Sequence, residues 1–487
     1  MNVRKALNKF RWLWIAMSCM LMLPASAEGL SGLLSDPLRA NPPELSAGVV
    51  LPGDVAPVPC PPVVDLLQPL ILSAAVDLAL CGNPQIKAAW AEIKIQAGAL
   101  GEARAAFLPT LTGSVSELNN RTTYPDFAAA NTTVNGHTTY TALDWRLFDF
   151  GGRLANHEAA NQLLIAALAS HDAILQKILT SVIGTYFDAL TANAMYTAKN
   201  QATRLASNTL QATQRKEVKG AAGRNDSLQA MTAMAKAQLA EQRALGDYRK
   251  AISTLIYTIA LPAGTRVVLP FDVQMTAPEG IDELSHWLKV AQEKHPAIIT
   301  ARAQWEAAKS KVDSVRSDGL PTLDFVANYY QNGYPNQGLQ LTRSNTTTIG
   351  MTLNIPLFDG FARTYKIHEA QAQAEQSEAQ MQDTEHQILG EVVKAYADAQ
   401  SALANLGSSD TLLQAAQTAI VSSQHRYTKG VGDILELLSV QSALADAQQE
   451  RVRSLAEWRS ARFKLMVNAG GLGRDLIAGQ DSLRSGN

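Results

Sequence analysis

The sequence predicts an internally duplicated α+β protein, each half running helix, β-hairpin, long helix, turn, helix. Three observations carry this. Leu108-Pro109-Thr110-Leu111 returns as Leu320-Pro321-Thr322-Leu323, 212 residues later (320 − 108). Leu147-Phe148-Asp149 with Arg153 returns as Leu357-Phe358-Asp359 with Arg363, now 210 later (357 − 147). Lys219-Gly220, Ala237-Gln238 and Tyr248-Arg249 match Lys429-Gly430, Ala447-Gln448 and Trp458-Arg459 at that same 210 (429 − 219). A single match is chance. An ordered series at near-constant offset is a repeat, and it frames every later assignment.

The chain of 487 residues has room for two or more domains. A formal charge of −2 gives no electrostatic case for nucleic acid as a partner. Aromatic residues are 6% and Ala is abundant, which suits long helices. Charged residues, at 18%, fall below the usual quarter, which hints at surfaces covered by other chains or by lipid.

Residues 1–27 read as a secretory signal peptide. Arg4, Lys5, Lys9 and Arg11 precede an apolar run from Trp12 to Leu23, too short to span a bilayer as a helix. Pro24-Ala25-Ser26-Ala27 follows as a cleavage site, favoured over lipidation at Cys19. Export leaves Cys60 and Cys81, which an oxidising compartment is expected to join in a structural disulfide. No later run reaches eighteen consecutive apolar residues, so any membrane role must use strands.

Residues 28–65 hold eight prolines and read as an extended arm that cannot form a helix. The first repeat is placed at 66–262, with a short helix over Leu72–Leu80. A second helix opens at Asn83-Pro84, Asn83 as N-cap and Pro84 at the first helical position. Pro109 stops it, as Pro321 stops its counterpart that opens at His295-Pro296. A hairpin over 110–149 follows, with Asn119 to His137 as a polar loop. In its return strand Leu143, Trp145 and Leu147 alternate with Asp144 and Arg146. A long helix over 152–219 and another over 226–260 complete the repeat; at 1.5 Å per residue the first is about 100 Å long. That length implies a coiled-coil-like assembly. After a linker at 263–280 the second repeat occupies 281–467: a helix from Pro296, a hairpin over 322–357, a long helix over 361–429, and a helix over 433–467. A flexible tail is expected over 468–487.

Catalysis finds no support. The eight His are scattered, and His157-Glu158 and His368-Glu369 lack the second His of a zinc motif. No nucleophile constellation, metal site or cofactor site is visible. Asp149 and Asp359 sit where strand must turn into helix and read as turn or cap residues.

Strands of about ten residues with one apolar and one polar face fit a membrane β-barrel. One chain offers four strands, and lipid tolerates no open edge, so membrane insertion requires an oligomer. Two copies would supply about eight strands, a barrel filled by side chains; a conducting channel therefore favours three or more.

The chain resembles the TolC family of outer-membrane channels over essentially its whole mature length. The resemblance rests on the doubled Asn83-Pro84/His295-Pro296 and Leu-Pro-Thr-Leu motifs, the Leu-Phe-Asp turns with Arg153 and Arg363, and the Lys-Gly turns at 219 and 429. It implies a homotrimer with a twelve-stranded barrel in the outer membrane and a periplasmic tunnel of packed helices. It also implies a periplasmic adaptor (a membrane fusion protein) and an inner-membrane pump, ABC-type or proton-driven. The absence of a good lipidation signal leans toward type I protein secretion or general efflux. The competing class is a periplasmic coiled-coil adaptor or structural protein with its hairpins in water.

The same resemblance points to the turns Gly220–Asp226 and Gly430–Glu436 as the tunnel's periplasmic aperture. Asp226, Tyr427, Asp433 and Glu436 are its candidate gating residues, and a threefold ring of Glu436 carboxylates would favour cations. Two departures stand out: Gly432 occupies the place of a basic lock residue, and Ser439 that of a second acid. Arg224 and Lys429 are the candidate stand-ins.

Overall fold

The computed structural model describes residues 36–47, 60, 68–270, 280–332 and 344–471. Its elements in chain order are α1 (Glu44–Ala47), α2 (Leu72–Gly82), α3 (Pro84–Ala105), β1 (Thr110–Thr122), β2 (Thr132–Phe148), α4 (Gly152–Val218) and α5 (Arg224–Thr258). There follow α6 (Leu284–Lys294), α7 (Pro296–Ser317), β3 (Thr322–Asn332), β4 (Ser344–Asn354), α8 (Ala362–Thr428) and α9 (Ile434–Asn468). Helices α2 and α3 start 212 residues before α6 and α7 (284 − 72 and 296 − 84), and α4 and α5 start 210 before α8 and α9 (362 − 152 and 434 − 224). The two-residue difference therefore falls between the start of β3 and the start of α8.

Of the described residues, those within Met1–Leu45, Lys94–Ala160 and Ser317–Leu357 form one compact unit, and the rest form a second. Each unit draws on both repeats.

The first unit holds a four-stranded antiparallel sheet in the order β1-β2-β3-β4. The hairpin of one repeat joins that of the other through β2 and β3, from Thr138↔Asn332 to Phe148↔Leu323, with an irregularity at Arg146/Phe148. Register aligns the side chains in rows, because neighbours across a ladder point to the same face. Leu111, Leu143, Ala327 and Ile349 form one such row, and Trp145, Phe325 and Met351 another. The opposite face carries Thr112, Ala142, Asn328 and Thr348, and an Arg146–Asp324 ion pair at 3.0 Å. Leu111, Val115, Ile349 and Met351 are each at least two-thirds exposed, so the apolar face is left uncovered by the described residues.

Arg153 organises the strand-to-helix junction. Its backbone N–H and Nε donate to Asp149 Oδ2 at 3.0 and 2.9 Å, Nη1 donates to the carbonyl of Arg146 at 2.8 Å, and the guanidinium lies 5.0 Å from the Phe107 ring centre. In the second repeat Asp359 Oδ2 likewise accepts from the Arg363 N–H at 2.9 Å. Both turns need two successive left-handed residues: Phe150 and Gly151 in one, Gly360 and Phe361 in the other.

In the second unit, α2, α4, α5 and the end of α9 enclose a core of Val76, Leu80, Leu179, Tyr186, Leu255 and Phe463. Tyr186 donates its hydroxyl to the Leu70 carbonyl at 2.9 Å, which satisfies its only polar group in that core. A second core sets Ala291 of α6 against Val392, Ala399 and Leu406 of α8 and Trp458 of α9. Buried positions on α8 run Val392, Ala395, Ala399, Ala402, Leu406, Ser409, Ala416, Ile420, Ser423, Tyr427. Steps of three and four, with one of seven from Ser409 to Ala416, are a heptad seam, which explains how a helix of 67 residues stays ordered without an ordinary globular core. Helix α4 holds an eighteen-residue window apolar enough to cross a membrane, but half of it is buried. We assign it to core packing. Cys60 and Cys81 are joined by a disulfide.

Several expected boundaries need correction. The arm 28–65 does contain a helical turn, α1, because Pro42 and Pro43 sit just before it, where a missing N–H costs nothing. Helix α6 had no expectation of its own, although it is the repeat partner of α2. The loop of the first hairpin is shorter than Asn119–His137: the ladder runs to Thr122↔Thr132, β-branched residues suited to a pleat. The second hairpin ends at Asn354 rather than 357, since Pro356 has no N–H for the ladder. Residues 472–487 of the expected tail, 271–279 of the linker and all of 1–27 lie outside the described residues.

His295 and Asn83 cap equivalent helices with different chemistry. Asn83 Oδ1 accepts from the Gln85 N–H at 2.8 Å, and His295 Nδ1 accepts from the Ala297 N–H at 3.2 Å. Accepting requires the neutral ring, and burial lowers the His295 pKa from 6.5 to about 4. Between those values the unfolded chain binds a proton that the folded chain does not. The stabilisation is therefore complete above pH 6.5 and is lost as pH falls through about 4. His295→Asn should flatten that part of the profile; denaturant midpoints across the window, compared with the parent, are the check.

Candidate functional site

The two helix-to-helix turns are the sites singled out by the sequence, and local chemistry explains why each turn forms. Gly220 and Gly430 adopt left-handed backbone at φ 71° and 79°. Behind them Ala221 N–H donates to the Lys216 carbonyl at 2.8 Å and Val431 N–H to the Arg426 carbonyl at 3.1 Å. This is a helix C-cap that glycine enters without strain, which accounts for the doubled Lys-Gly.

Tyr427 is the best-anchored of the candidates. It is buried, in a cluster with Ile420, Ile434 and Leu437. Its hydroxyl lies 2.9 Å from Thr213 Oγ1, and Thr213 in turn donates to the Thr209 carbonyl at 2.9 Å. Lys216 Nζ donates to the Tyr427 carbonyl and lies 3.8 Å from its ring centre. Two turns away Gln441 Nε2 donates to Thr209 Oγ1 at 2.7 Å, and further along Lys199 Nζ donates to Gln449 Oε1 at 2.8 Å. These contacts tie α4 of the first repeat to α8 and α9 of the second.

Glu436 stands apart from that network. It pairs with Arg426 at 3.5 Å, with both side chains well exposed. Asp226 is the third residue of α5 and not its first: the helix starts at Arg224, two residues sooner than expected, and Asp226 Oδ2 accepts from the Gly223 N–H at 3.1 Å. Asp433 occupies the N-cap position of α9, is exposed, and makes no side-chain capping bond. The turn therefore brings together Tyr427 with Thr213 and Lys216, and Glu436 with Arg426; Asp226 and Asp433 join neither group.

Lys216, Thr213 and Arg426 were missed by sequence reasoning. The repeat frame could have found two of them, since Lys216 and Arg426 are 210 apart (426 − 216). Among the described residues neither Arg224 nor Lys429 forms an ion pair with an acid of the turns; Arg426 does, with Glu436. Gly432 itself has a steric cause. A Cβ there would lie 2.9 Å from the Tyr427 nitrogen and 3.1 Å from the Arg426 carbonyl carbon, so no side chain of any kind fits. Among the described residues, no group of three or more His, Cys, Asp or Glu could hold a metal ion.

The outer membrane efflux protein model matches the chain twice, at residues 75–259 and 287–471. The chain belongs to the outer membrane efflux protein family. Its members are TolC-like channels of the outer membrane, and the family is one of transport proteins rather than enzymes. The chain is 35% identical to Protein CyaE of Bordetella pertussis over 433 residues, 88% of this chain and 90% of that one. It is 25% identical to the alkaline protease secretion protein AprF of Pseudomonas aeruginosa, covering 81% of this chain and 83% of that one. In fold it matches the outer membrane protein VceC of Vibrio cholerae, with a TM-score of 0.70 at 20% identity over 82% of this chain and 96% of that one. It also matches the open state of the MtrE outer membrane channel of Neisseria gonorrhoeae, with a TM-score of 0.68 at 17% identity over 82% and 89%.

Two substitutions test the turn. Tyr427→Phe removes one buried hydroxyl link and should cost about 0.5–1.5 kcal/mol. Gly432→Ala forces the turn open against backbone atoms and should cost more, about 1–3 kcal/mol. Thermal unfolding of the two variants side by side reads the order; equal or reversed losses would contradict the steric account.

Proposed function

We propose that the protein is the exit duct of a tripartite export system, three copies closing one twelve-stranded barrel in the outer membrane. The observation that carries this is the sheet. Its apolar rows are uncovered, its other face is polar, and β1 and β4 both end the ladder order. An edge left open in lipid strands several backbone donors and acceptors, each costly. Further copies of the same chain remove both edges, and three give a barrel wide enough to conduct. The helical unit, α4 and α8 with their partners, then lines a periplasmic tunnel. A water-exposed sheet, as in a periplasmic adaptor or structural protein, would leave those apolar rows without a role.

Cargo is read as protein. AprF and the PrtF of Dickeya chrysanthemi are both named for protease secretion, and this chain aligns with over four-fifths of each. On this reading an inner-membrane pump supplies the energy, a periplasmic adaptor couples it to the duct, and the duct conducts passively. The aperture lies at the α4–α5 and α8–α9 turns, with Tyr427 and Glu436 as its principal residues and Asp226 and Asp433 as flanking acids.

Two measurements test the proposal. The purified protein should require detergent and should have three times the chain mass by light scattering with detergent subtracted; a monomer soluble in plain buffer overturns it. In planar bilayers the trimer should prefer cations, and Glu436→Gln should lower that preference. Tyr427→Phe combined with Lys216→Ala should raise conductance, and unchanged conductance would remove Tyr427 from the gate.

A further inference from the structure

One row on the polar face of the sheet breaks the pattern of its neighbours. It runs Ser114, Tyr140, Tyr330, Thr346 across β1 to β4. The rows on either side of it carry only Thr, Ser, Asn and Ala. Two aromatic rings therefore stand among small, mostly polar side chains, and they are not covered: Tyr140 is 37% exposed and Tyr330 36%. Tyr329, next in the chain, points the other way, because successive strand residues face opposite sides.

The usual places for exposed aromatic rings on a membrane sheet do not account for this pair. Rings that mark the edge of a bilayer lie on the lipid face, which is where Trp145 and Tyr329 point. Tyr140 and Tyr330 lie on the opposite face, which lines the lumen of the proposed duct. Nor does a neighbouring copy cover them. They stand on β2 and β3, the two inner strands, while copies would join at β1 and β4. Large rings left open on a polar wall mark a surface that something touches.

The pair is set in place before any contact. The ring centres are 6.4 Å apart and the planes meet at 63°, so the rings are not stacked flat on each other. The Tyr140 hydroxyl donates to Asn328 Oδ1 at 3.2 Å. Ala142, which pairs with Asn328, is buried, as a Tyr140 ring leaning over it requires. Rings already held in position lose little freedom when a partner arrives. Twelve strands about 4.8 Å apart, tilted by about 40°, close at a backbone diameter of about 24 Å. A folded domain of about 100 residues, with a radius of gyration of about 13 Å, does not fit that bore. A protein cargo passes as an extended chain, with its side chains near the wall.

We propose that Tyr140 and Tyr330, repeated in three copies, form a belt of six aromatic rings in the barrel lumen that binds the aromatic side chains of an unfolded polypeptide in transit. This rests on the duct and protein-cargo readings above and adds a contact site for the cargo inside the barrel. Aromatic pairs at such a belt are short-lived one by one, because each is worth little more than thermal energy. Several rings at one level let a chain pass from contact to contact without being trapped. The neighbouring rows of hydroxyls and amides hydrogen-bond water and offer no competing apolar surface.

Single-channel recording in planar bilayers tests the belt. The probe is a flexible Gly/Ser-rich peptide carrying spaced tryptophans, added on the side of the hairpin tips, and the readout is the duration of current blockades. On the parent protein these should outlast the blockades of the same peptide with alanine in place of tryptophan. Tyr140→Ala with Tyr330→Ala should shorten them by about twofold to tenfold, the range that one aromatic pair carries. Tyr140→Phe with Tyr330→Phe should preserve them, since the rings and not the hydroxyls make the contact. Tyr329→Ala, on the opposite face, should leave them unchanged. Equal blockades by the two peptides on a conducting parent overturn the belt while the duct stands, and that comparison needs no variant to assemble. Unshortened blockades in the double alanine variant, or equal shortening by Tyr329→Ala, also overturn it. A parent that forms no channel overturns both readings.

Discussion

Backbone groups along the outer edges of β1 and β4 have no ladder partner among the described residues, and much of the organisation follows from that. A four-stranded sheet with an uncovered apolar face is stable neither in water, where the face is exposed, nor in lipid, where the edges are. The proposed barrel, closed with further copies, would solve both problems together. The rows of side chains across the sheet are already sorted for such closure. Leu111, Leu143, Ala327 and Ile349 share one face and Thr112, Ala142, Asn328 and Thr348 the other, in unbroken register through both hairpins.

The transition from strand to helix is built for rigidity. Arg153 reaches the Asp149 carboxylate, the Arg146 carbonyl and the Phe107 ring from one side chain, at a turn whose backbone already occupies left-handed conformations. The α4–α5 and α8–α9 turns are built differently. Tyr427 is buried and doubly tied across the repeats, but each tie is a single hydrogen bond or cation–ring contact of about 0.5–2 kcal/mol. The Arg426–Glu436 pair is weaker still. A rigid junction at one set of turns and a few separable contacts at the other is the distribution that the proposed duct, with an aperture at its helix-to-helix turns, would require.

Much of this was legible in sequence because it is local. Proline ends a helix through its own ring, glycine enters left-handed backbone through its missing Cβ, and alternation marks a pleat within a single strand. The doubled Leu-Pro-Thr-Leu and Lys-Gly motifs are such signals. Where local cues were ambiguous the reading slipped: the helix was placed from Asp226 although it begins at Arg224, and the run of prolines hid α1. The absence of a basic residue at Gly432 was visible in the sequence, but its cause, backbone atoms of Tyr427 and Arg426 in the space a Cβ needs, was not.

The sequence by itself determined the duplication, the order of elements and the places where helices stop, since each depends on neighbouring residues or on a repeat length that can be counted. Only the tertiary structure decided which side chains meet across the repeats. Thr213 and Lys216 gave no sign of their attachment to Tyr427, because a contact spanning more than two hundred residues depends on how one long helix is rotated against another. It also decided that Lys216 crosses the seam while its counterpart Arg426 stays with Glu436. Two chemically similar residues at equivalent positions were given different partners because one faces the other repeat and the other faces outward.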